Sequence, residues 1–217
     1  MGIFDSIITF LQTGGTFIYP IALVLVVGLA ISIERWIYLS SALRTNRKAF
    51  ALLKDSLKKG DIETISKYAN ENSAPVLDVL QSGIARLSSV KRREDVEYAM
   101  EETMMEYMLR LEKRTPFLAV LANIATLLGL LGTIMGLIAA FSAVANADPA
   151  EKANLLSSSI SVAMNTTAFG LITAIPLILL HTSLMGKTAA IADSLEMAGI
   201  KLLNSLSFGQ SSDEHRG

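Results

Sequence analysis

Three long apolar segments, separated by polar and charged residues, set the pattern of this chain. The first runs from Phe17 to Leu39, the second from Phe117 to Val144 and the third from Leu155 to Leu180. Each reaches the roughly 20 residues that an α-helix needs to cross a bilayer, and the second and third contain no Asp, Glu, Lys or Arg. The pattern therefore predicts three transmembrane helices, placed at 16–40, 116–145 and 155–184.

The segments outside the spans predict the topology. Most of the basic residues lie in 41–115, and the positive-inside tendency makes this a cytoplasmic helical domain. The loop 146–154 and the amino terminus are then periplasmic, and the tail 185–217 is cytoplasmic. Residues 1–15 place their apolar side chains on one helical face and predict an interfacial amphipathic helix. We expect an all-α membrane protein whose cytoplasmic helices extend three transmembrane helices.

Small and hydroxyl-bearing residues recur every three or four positions in the second and third spans. They are Asn123, Thr126, Gly129, Thr133, Gly136 and Ala140, then Ser159, Ala163, Thr166, Gly170 and Thr173, with Thr167 beside them. This period gives one narrow face on each helix. The hydroxyls either bond the carbonyl one turn back, leaving only a packing surface, or line an ion pathway.

Several residues in and beside the spans have a predicted structural role. Gly129, Gly132, Gly136 and Gly170 are predicted to let helices pack closely, and Gly132 and Gly136 have the spacing of a helix-packing motif. Pro176 interrupts the third span, and its missing N–H requires compensation from neighbours. Basic residues at the inner ends of the spans could contact lipid headgroups, with solvated flanking charge as the alternative. These residues are Arg35, Arg110 and Arg114.

Composition narrows the function classes. Of 217 residues, 51% are hydrophobic and the net charge is −1, which is typical of a membrane protein rather than a nucleic-acid-binding one. There is no Cys and there are only two His, so neither a disulfide framework nor a metal cluster is expected. No nucleophile, base and orienting group converge in any segment. We therefore expect no enzymatic activity, no metal site and no cofactor.

Three segments carry a family resemblance. LLGLLGTIMGLIAAF (127–141) and ISVAMNTTAFGLITAIPLILLH (160–181) resemble the paired signature of the ExbB/TolQ/MotA family of ion-driven membrane motors. KKGDIETISKYANENSAPVLDVLQSGIARL (58–87) is similar to the polar domain of that family. Three spans and one large inner loop resemble the ExbB/TolQ branch, since the MotA branch has four spans.

The resemblance implies an assembly and a function. It implies a ring, commonly of five subunits, around two single-span helices of an ExbD/TolR-like partner, each bearing one membrane Asp that carries the ion. In the bacterial inner membrane such a channel and stator subunit uses the proton or sodium motive force. The driven process lies in the envelope or outer membrane, as in TonB-dependent import, and involves a TonB/TolA-like protein.

The resemblance also implies which residues line the ion path. By motif these are Thr133 in LGTIMG and Thr167 in NTTAFG, with Thr166, Asn123 and Thr126 as secondary candidates. One position departs from the family. ExbB and TolQ often carry a Glu eight residues before the third-span glycine, where this chain has Val162. The translocated ion, H⁺ or Na⁺, therefore stays open.

Two other function classes remain as alternatives. In a passive membrane scaffold the hydroxyl-bearing faces would serve only as packing surfaces, and the cytoplasmic helices would recruit a soluble partner. A transporter of small solutes is disfavoured, because three spans without an inverted repeat offer little for alternating access.

Overall fold

The structure, a computed structural model, describes residues 15–87, 92–145 and 147–213, with side chains described as far as Leu206. This part of the chain is helical and contains no strand, which confirms the predicted all-α class. The amphipathic helix predicted for 1–15 lies, except for Gly15, outside the described residues. The six helices are α1 (Ile18–Lys59), α2 (Ile62–Glu71), α3 (Pro75–Leu87), α4 (Arg93–Glu112), α5 (Thr115–Ala145) and α6 (Lys152–Asp213).

Within the described residues three helices, α1, α5 and α6, are long and apolar enough to cross a membrane, as the sequence predicts. Helices α1 and α6 continue well beyond the predicted ends of their spans. Gly60, in the left-handed region at φ +67°, follows the end of α1 and allows the chain to turn. Pro176 does not end α6, which runs through it without a break. The polar parts of the chain thus include direct continuations of two spans.

Short polar signals separate the helices of the polar region. Asp61 caps α2: its carboxylate accepts a hydrogen bond from the Thr64 amide at 3.1 Å and from the Thr64 hydroxyl at 2.6 Å. These bonds are the main reason why the pKa of Asp61 lies below its ordinary value of 3.8. Asn72 follows α2 in extended conformation, and Pro75 is the first residue of α3, where its missing N–H costs no helical bond.

The junction between α4 and α5 is a break rather than a bend. From the sequence, Pro116 could either begin a helix or bend a continuous one. In the structure α4 ends at Glu112, and Arg114 adopts the left-handed region at φ +66°. Helix α5 begins at Thr115, so Pro116 lies in its first turn, where proline is tolerated.

The chain divides into two compact units. The first comprises the described parts of 1–34 and 114–183 and holds the apolar stretches of α1, α5 and α6. Its interior is built largely from small residues, whereas large apolar side chains such as Leu23 and Phe141 are exposed. An exposed apolar surface of this kind is typical of a protein surrounded by lipid or by further apolar helices.

The second unit comprises the described parts of 35–113 and 184–217. Asn46 lies fully buried in it, where its side-chain amide donates to the Ser194 hydroxyl and its carbonyl oxygen accepts from the Val76 amide at 2.9 Å. This single side chain links α1, α3 and α6. Around it lies a core of large aliphatic residues that includes Leu39, Leu53, Leu57, Ile65, Leu77, Leu80, Leu111, Leu184, Ile191, Leu195 and Leu202.

Candidate functional site

Helices α5 and α6 pack backbone against backbone. A Cβ atom on Gly170 would lie 2.7 Å from the Ala125 carbonyl oxygen and 3.0 Å from the Gly129 Cα. Two turns beyond Gly129 along α5, a Cβ on Gly136 would lie 2.7 Å from the Ala163 Cβ. Real Cβ atoms do not approach other atoms so closely, so only glycine fits at Gly170 and Gly136 unless the helices separate. We call this region the glycine contact.

Two threonines meet beside the glycine contact. The hydroxyls of Thr133 on α5 and Thr167 on α6 are hydrogen-bonded to each other. The Gly129 carbonyl oxygen accepts from Thr167 at 2.8 Å and lies 3.3 Å from the Thr133 hydroxyl. Both threonines are half-buried. We call these two residues the threonine pair.

The hydroxyls of the threonine pair keep hydrogen-bonding capacity for a further ligand. Each hydroxyl has one proton and two lone pairs. If Thr167 donates to Gly129 and Thr133 donates to Thr167, both protons are used while lone pairs remain on both oxygens. The pair can then accept from a proton donor or coordinate a cation. If Thr133 turns its proton outward, the pair can instead donate to an anion.

The secondary candidates differ in their surroundings: Thr166 packs against Gly132 in the contact between α5 and α6, whereas Asn123 and Thr126 lie apart from it. Thr166 is buried and donates to the Val162 carbonyl oxygen one turn back at 3.0 Å. Asn123 and Thr126 are exposed, and Thr126 donates within α5 to the Ala122 carbonyl oxygen at 3.1 Å. The sequence predicts one face on α5, but the structure separates it into the buried glycine contact and an exposed polar edge. It brings Thr133 and Thr167 together and leaves Asn123 and Thr126 apart from that contact.

No ionisable carboxylate is built into this region. Helix α5 has no charged residue, and α6 has none between 155 and 180. Val162, half-buried, lies one turn before Thr166. Among the described residues no cluster of three or more His, Cys, Asp or Glu could hold a metal ion. The site thus offers neutral oxygen atoms and no fixed negative charge.

A comparison with models of protein families shows which family the chain belongs to. The model of the MotA/TolQ/ExbB proton channel family matches residues 71–197, more than half of the sequence. The chain belongs to this family. The matched range includes all of α5, the threonine pair and the glycine contact.

Individual relatives agree with the family. A protein of Methanothermobacter thermautotrophicus, provisionally named a biopolymer transport protein ExbB homolog, is 28% identical over 200 residues, covering 89% of this chain and 68% of the relative. The Tol-Pal system protein TolQ of Pseudomonas aeruginosa is 26% identical over 177 residues, covering 74% and 76%. Biopolymer transport protein exbB1 of Vibrio cholerae is 46% identical over 59 residues, covering 27% and 26%.

The three arginines considered for headgroup binding have different surroundings in this MotA/TolQ/ExbB chain. Arg35 is 4% exposed and donates to the main-chain carbonyl oxygens of Arg110, at 3.2 Å, and Leu111. These carbonyls end α4, where the helix dipole favours a cation. Arg114 pairs with Glu34 at 2.7 Å. Arg110 is exposed, with its guanidinium 5.7 Å from the Tyr107 ring centre. The burial of Arg35 does not support a headgroup role for that residue.

Two further features of the first unit were not predicted from the sequence: a close contact between α1 and α6, and a buried threonine hydroxyl. A Cβ on Gly28 of α1 would lie 2.6 Å from the Leu177 side chain, so α1 also packs tightly on α6, one residue after the exposed Pro176. Thr173 is fully buried, and its hydroxyl has no hydrogen-bond partner among the described residues. The signal for Thr173 was its place in the periodic face of the third span, four residues before Leu177.

Proposed function

We propose that this chain is the channel and stator subunit of an ion-driven membrane motor and conducts H⁺ or Na⁺ along the threonine pair. The observation that carries this proposal is the hydrogen bond between Thr133 and Thr167, whose oxygens keep free lone pairs between α5 and the charge-free stretch 155–180 of α6. A neutral polar site of this kind suits an ion that passes and does not stay, because permanent strong binding would block conduction.

The missing negative charge must come from a partner. We propose an ExbD/TolR-like single-span protein whose membrane Asp lies beside the threonine pair. A protonated Asp can donate to a free hydroxyl lone pair, and an ionised Asp can accept a hydroxyl proton. Threonine serves both states without changing its own charge. A potential of 100 mV supplies about 2.3 kcal/mol for each charge moved, so a few ions could drive a mechanical step.

The proposed assembly is a ring of five copies around two partner helices in the inner membrane. The exposed apolar side chains of the first unit, together with exposed Asn123 and Thr126, supply surface for neighbouring copies and for the partner. In this orientation 41–115 and 185–217 are cytoplasmic. The motor would act through a TonB/TolA-like protein on an envelope process such as TonB-dependent import. Val162, at the family's Glu position, keeps Na⁺ beside H⁺ as the proposed ion.

The test is ion flux through the complex with its single-span partner, reconstituted in vesicles. In Thr167→Val, H⁺ or Na⁺ flux should fall at least tenfold while the complex elutes unchanged on gel filtration. Thr167→Ser, which keeps the hydroxyl, should retain most of the flux. The matched control is Thr182→Val, because Thr182 lies on the same helix, is exposed and, among the described residues, donates only to the Ile178 carbonyl oxygen of its own helix.

The same measurement separates the motor from a passive scaffold. A scaffold predicts that Thr167→Val either disrupts assembly or changes nothing. An assembled Thr167→Val complex that conducts like the wild type would overturn the proposed function.

A further inference from the structure

A basic cleft lies on the part of α1 that follows its apolar segment. It has a volume of about 470 Å³ and is lined by Trp36, Ser40, Ser41, Arg44, Thr45 and Lys48, together with Ile37. Trp36, Ser40, Arg44 and Lys48 are spaced by four residues, so they follow one another along a single helical face. No acidic residue is among the residues that line the cleft. Its polar side-chain groups are therefore hydroxyls, cations and the indole N–H of Trp36.

Helix α6 brings a third cation, Lys187, beside the cleft, where it contacts two of the residues that line it. The Lys187 ammonium donates to the Ser40 hydroxyl at 2.6 Å and lies 3.1 Å from the centre of the Trp36 ring. Arg44 lies one turn further along α1 from Ser40, so two positive charges converge on the same hydroxyl-lined surface. Such convergence costs Coulomb energy unless an anion relieves it.

Among the described residues no acidic side chain pairs with these cations, and no carboxylate lies within 4.0 Å of Arg44, Lys48 or Lys187. This differs from Arg114, which has Glu34 at 2.7 Å. Basic and hydroxyl side chains without an acid are the groups that bind a phosphate oxygen.

The position along α1 favours a lipid as the source of that phosphate. The charge-free stretch of the first span ends at Ile33, and Trp36 and Tyr38 follow within five residues. Trp and Tyr are enriched at the depth of the lipid headgroups. The cleft begins at that depth, so a lipid phosphate can reach Lys187 and Arg44 while its acyl chains stay beside the apolar residues of α1.

We infer that the basic cleft binds the phosphate of an anionic phospholipid, with Lys187 and Arg44 as its main ligands and the hydroxyls of Ser40, Ser41 and Thr45 beside the rest of the headgroup. This inference is independent of the proposed ion conduction. A zwitterionic lipid is a poorer ligand, because its own ammonium would face three cations.

The single tryptophan of the chain makes the inference directly measurable, since Trp36 lies against Lys187. The full-length protein in detergent is titrated with short-chain phosphatidylglycerol, short-chain phosphatidylcholine or inorganic phosphate, and Trp36 emission is recorded. We expect a saturable change with phosphatidylglycerol alone. An equal response to phosphatidylcholine would overturn the inference. An equal response to inorganic phosphate at the same concentration would also overturn it, because a soluble anion would then be the ligand.

Variants locate the binding site. Arg44→Gln keeps the contact between Lys187 and Trp36 and should weaken phosphatidylglycerol binding about fivefold, the effect of one basic residue near an anionic lipid. Lys54→Gln is the control, because Lys54 is also exposed on α1 but lies outside the cleft. Native mass spectrometry, which counts the phosphatidylglycerol molecules that the protein retains, is the second measurement. It can also be applied to Lys187→Gln, whose loss of the contact with Trp36 would by itself change the tryptophan emission. Equal losses in the Arg44 and Lys54 variants would mean diffuse charge attraction and would contradict the inference.

Discussion

Thr133 and Thr167 are hydrogen-bonded to each other across two helices, and both hydroxyls lie close to one carbonyl oxygen, that of Gly129. This arrangement requires the glycine contact, because side chains as short as threonine can meet only where the helix backbones are close. The glycine contact and the threonine pair are therefore one structural feature. Changing either should affect the other.

The first prediction is that Thr133 and Thr167 are energetically coupled. Each Thr→Val change should destabilise the detergent-solubilised protein by about 0.6 kcal/mol, the mean for hydrogen bonds between membrane helices. The double variant should cost clearly less than the sum, because the first change already breaks the shared bond. Denaturation in a double-mutant cycle measures this. Strictly additive effects would show that the two hydroxyls act separately.

The second prediction concerns the glycine contact. Gly170→Ala should destabilise the protein by roughly 1–3 kcal/mol, because the new methyl group would meet backbone atoms of Ala125 and Gly129 that cannot move aside. Thermal unfolding in detergent is the measurement. Gly186→Ala on the same helix is the control, since no atom lies within 4 Å of its added Cβ. It should be neutral or stabilising by up to about 1 kcal/mol. Equal effects at the two positions would refute the close contact.

The third prediction concerns Arg35. Arg35→Gln should destabilise the second unit by about 2 kcal/mol, because the carbonyl oxygens of Arg110 and Leu111 lose charge-assisted hydrogen bonds. Arg35→Lys should recover only part of this, since a single ammonium does not reproduce the planar fork. Arg47→Gln, an exposed change on the same helix, should stay within about 0.5 kcal/mol. Hydrogen–deuterium exchange at the end of α4 reports the loss.

The fourth prediction is a pH dependence at α2. Because folding lowers the pKa of Asp61, the charge on its carboxylate stabilises α2 at neutral pH, and this charge-dependent part of the cap is lost as pH falls from the ordinary value of 3.8 through the lowered pKa of the folded state. Asp61→Asn keeps the cap oxygen without the charge and should remove the pH dependence but not the cap. Asp61→Ala should expose α2 to exchange at every pH. Hydrogen–deuterium exchange of residues 60–71, corrected for intrinsic rates, provides the test. Identical pH profiles for the wild type and the Asp61→Asn variant would contradict it.

The sequence was sufficient for the all-α class and for the three long apolar helices, because these depend on local period and on hydropathy. It predicted a face of small and hydroxyl-bearing residues on α5 and on α6, but the hydrogen bond between Thr133 and Thr167 required the structure. It could not decide the junction at Pro116, where a bend and a break satisfy the same proline geometry. The structure decides it by the left-handed conformation of Arg114.

The pattern of hydrophobic and polar positions could not predict which side chains distant in sequence contact each other. Glu34 and Arg35 are neighbours with similar flanking positions, yet Glu34 pairs with Arg114 and Arg35 is buried against the end of α4. Neither outcome follows from hydropathy. The sequence also offered no reason to select Lys187 as a phosphate ligand, because its position beside Ser40 depends on how α1 and α6 pack.

The glycine contact limits how this protein can change shape. A contact made of main-chain atoms contains no side chains that could switch rotamers, so α5 and α6 cannot easily slide or roll against each other. Within the first unit, α5 and α6 should therefore move together as one rigid body. In the proposed motor, movement would then occur at the edge of this body where Asn123 and Thr126 are exposed.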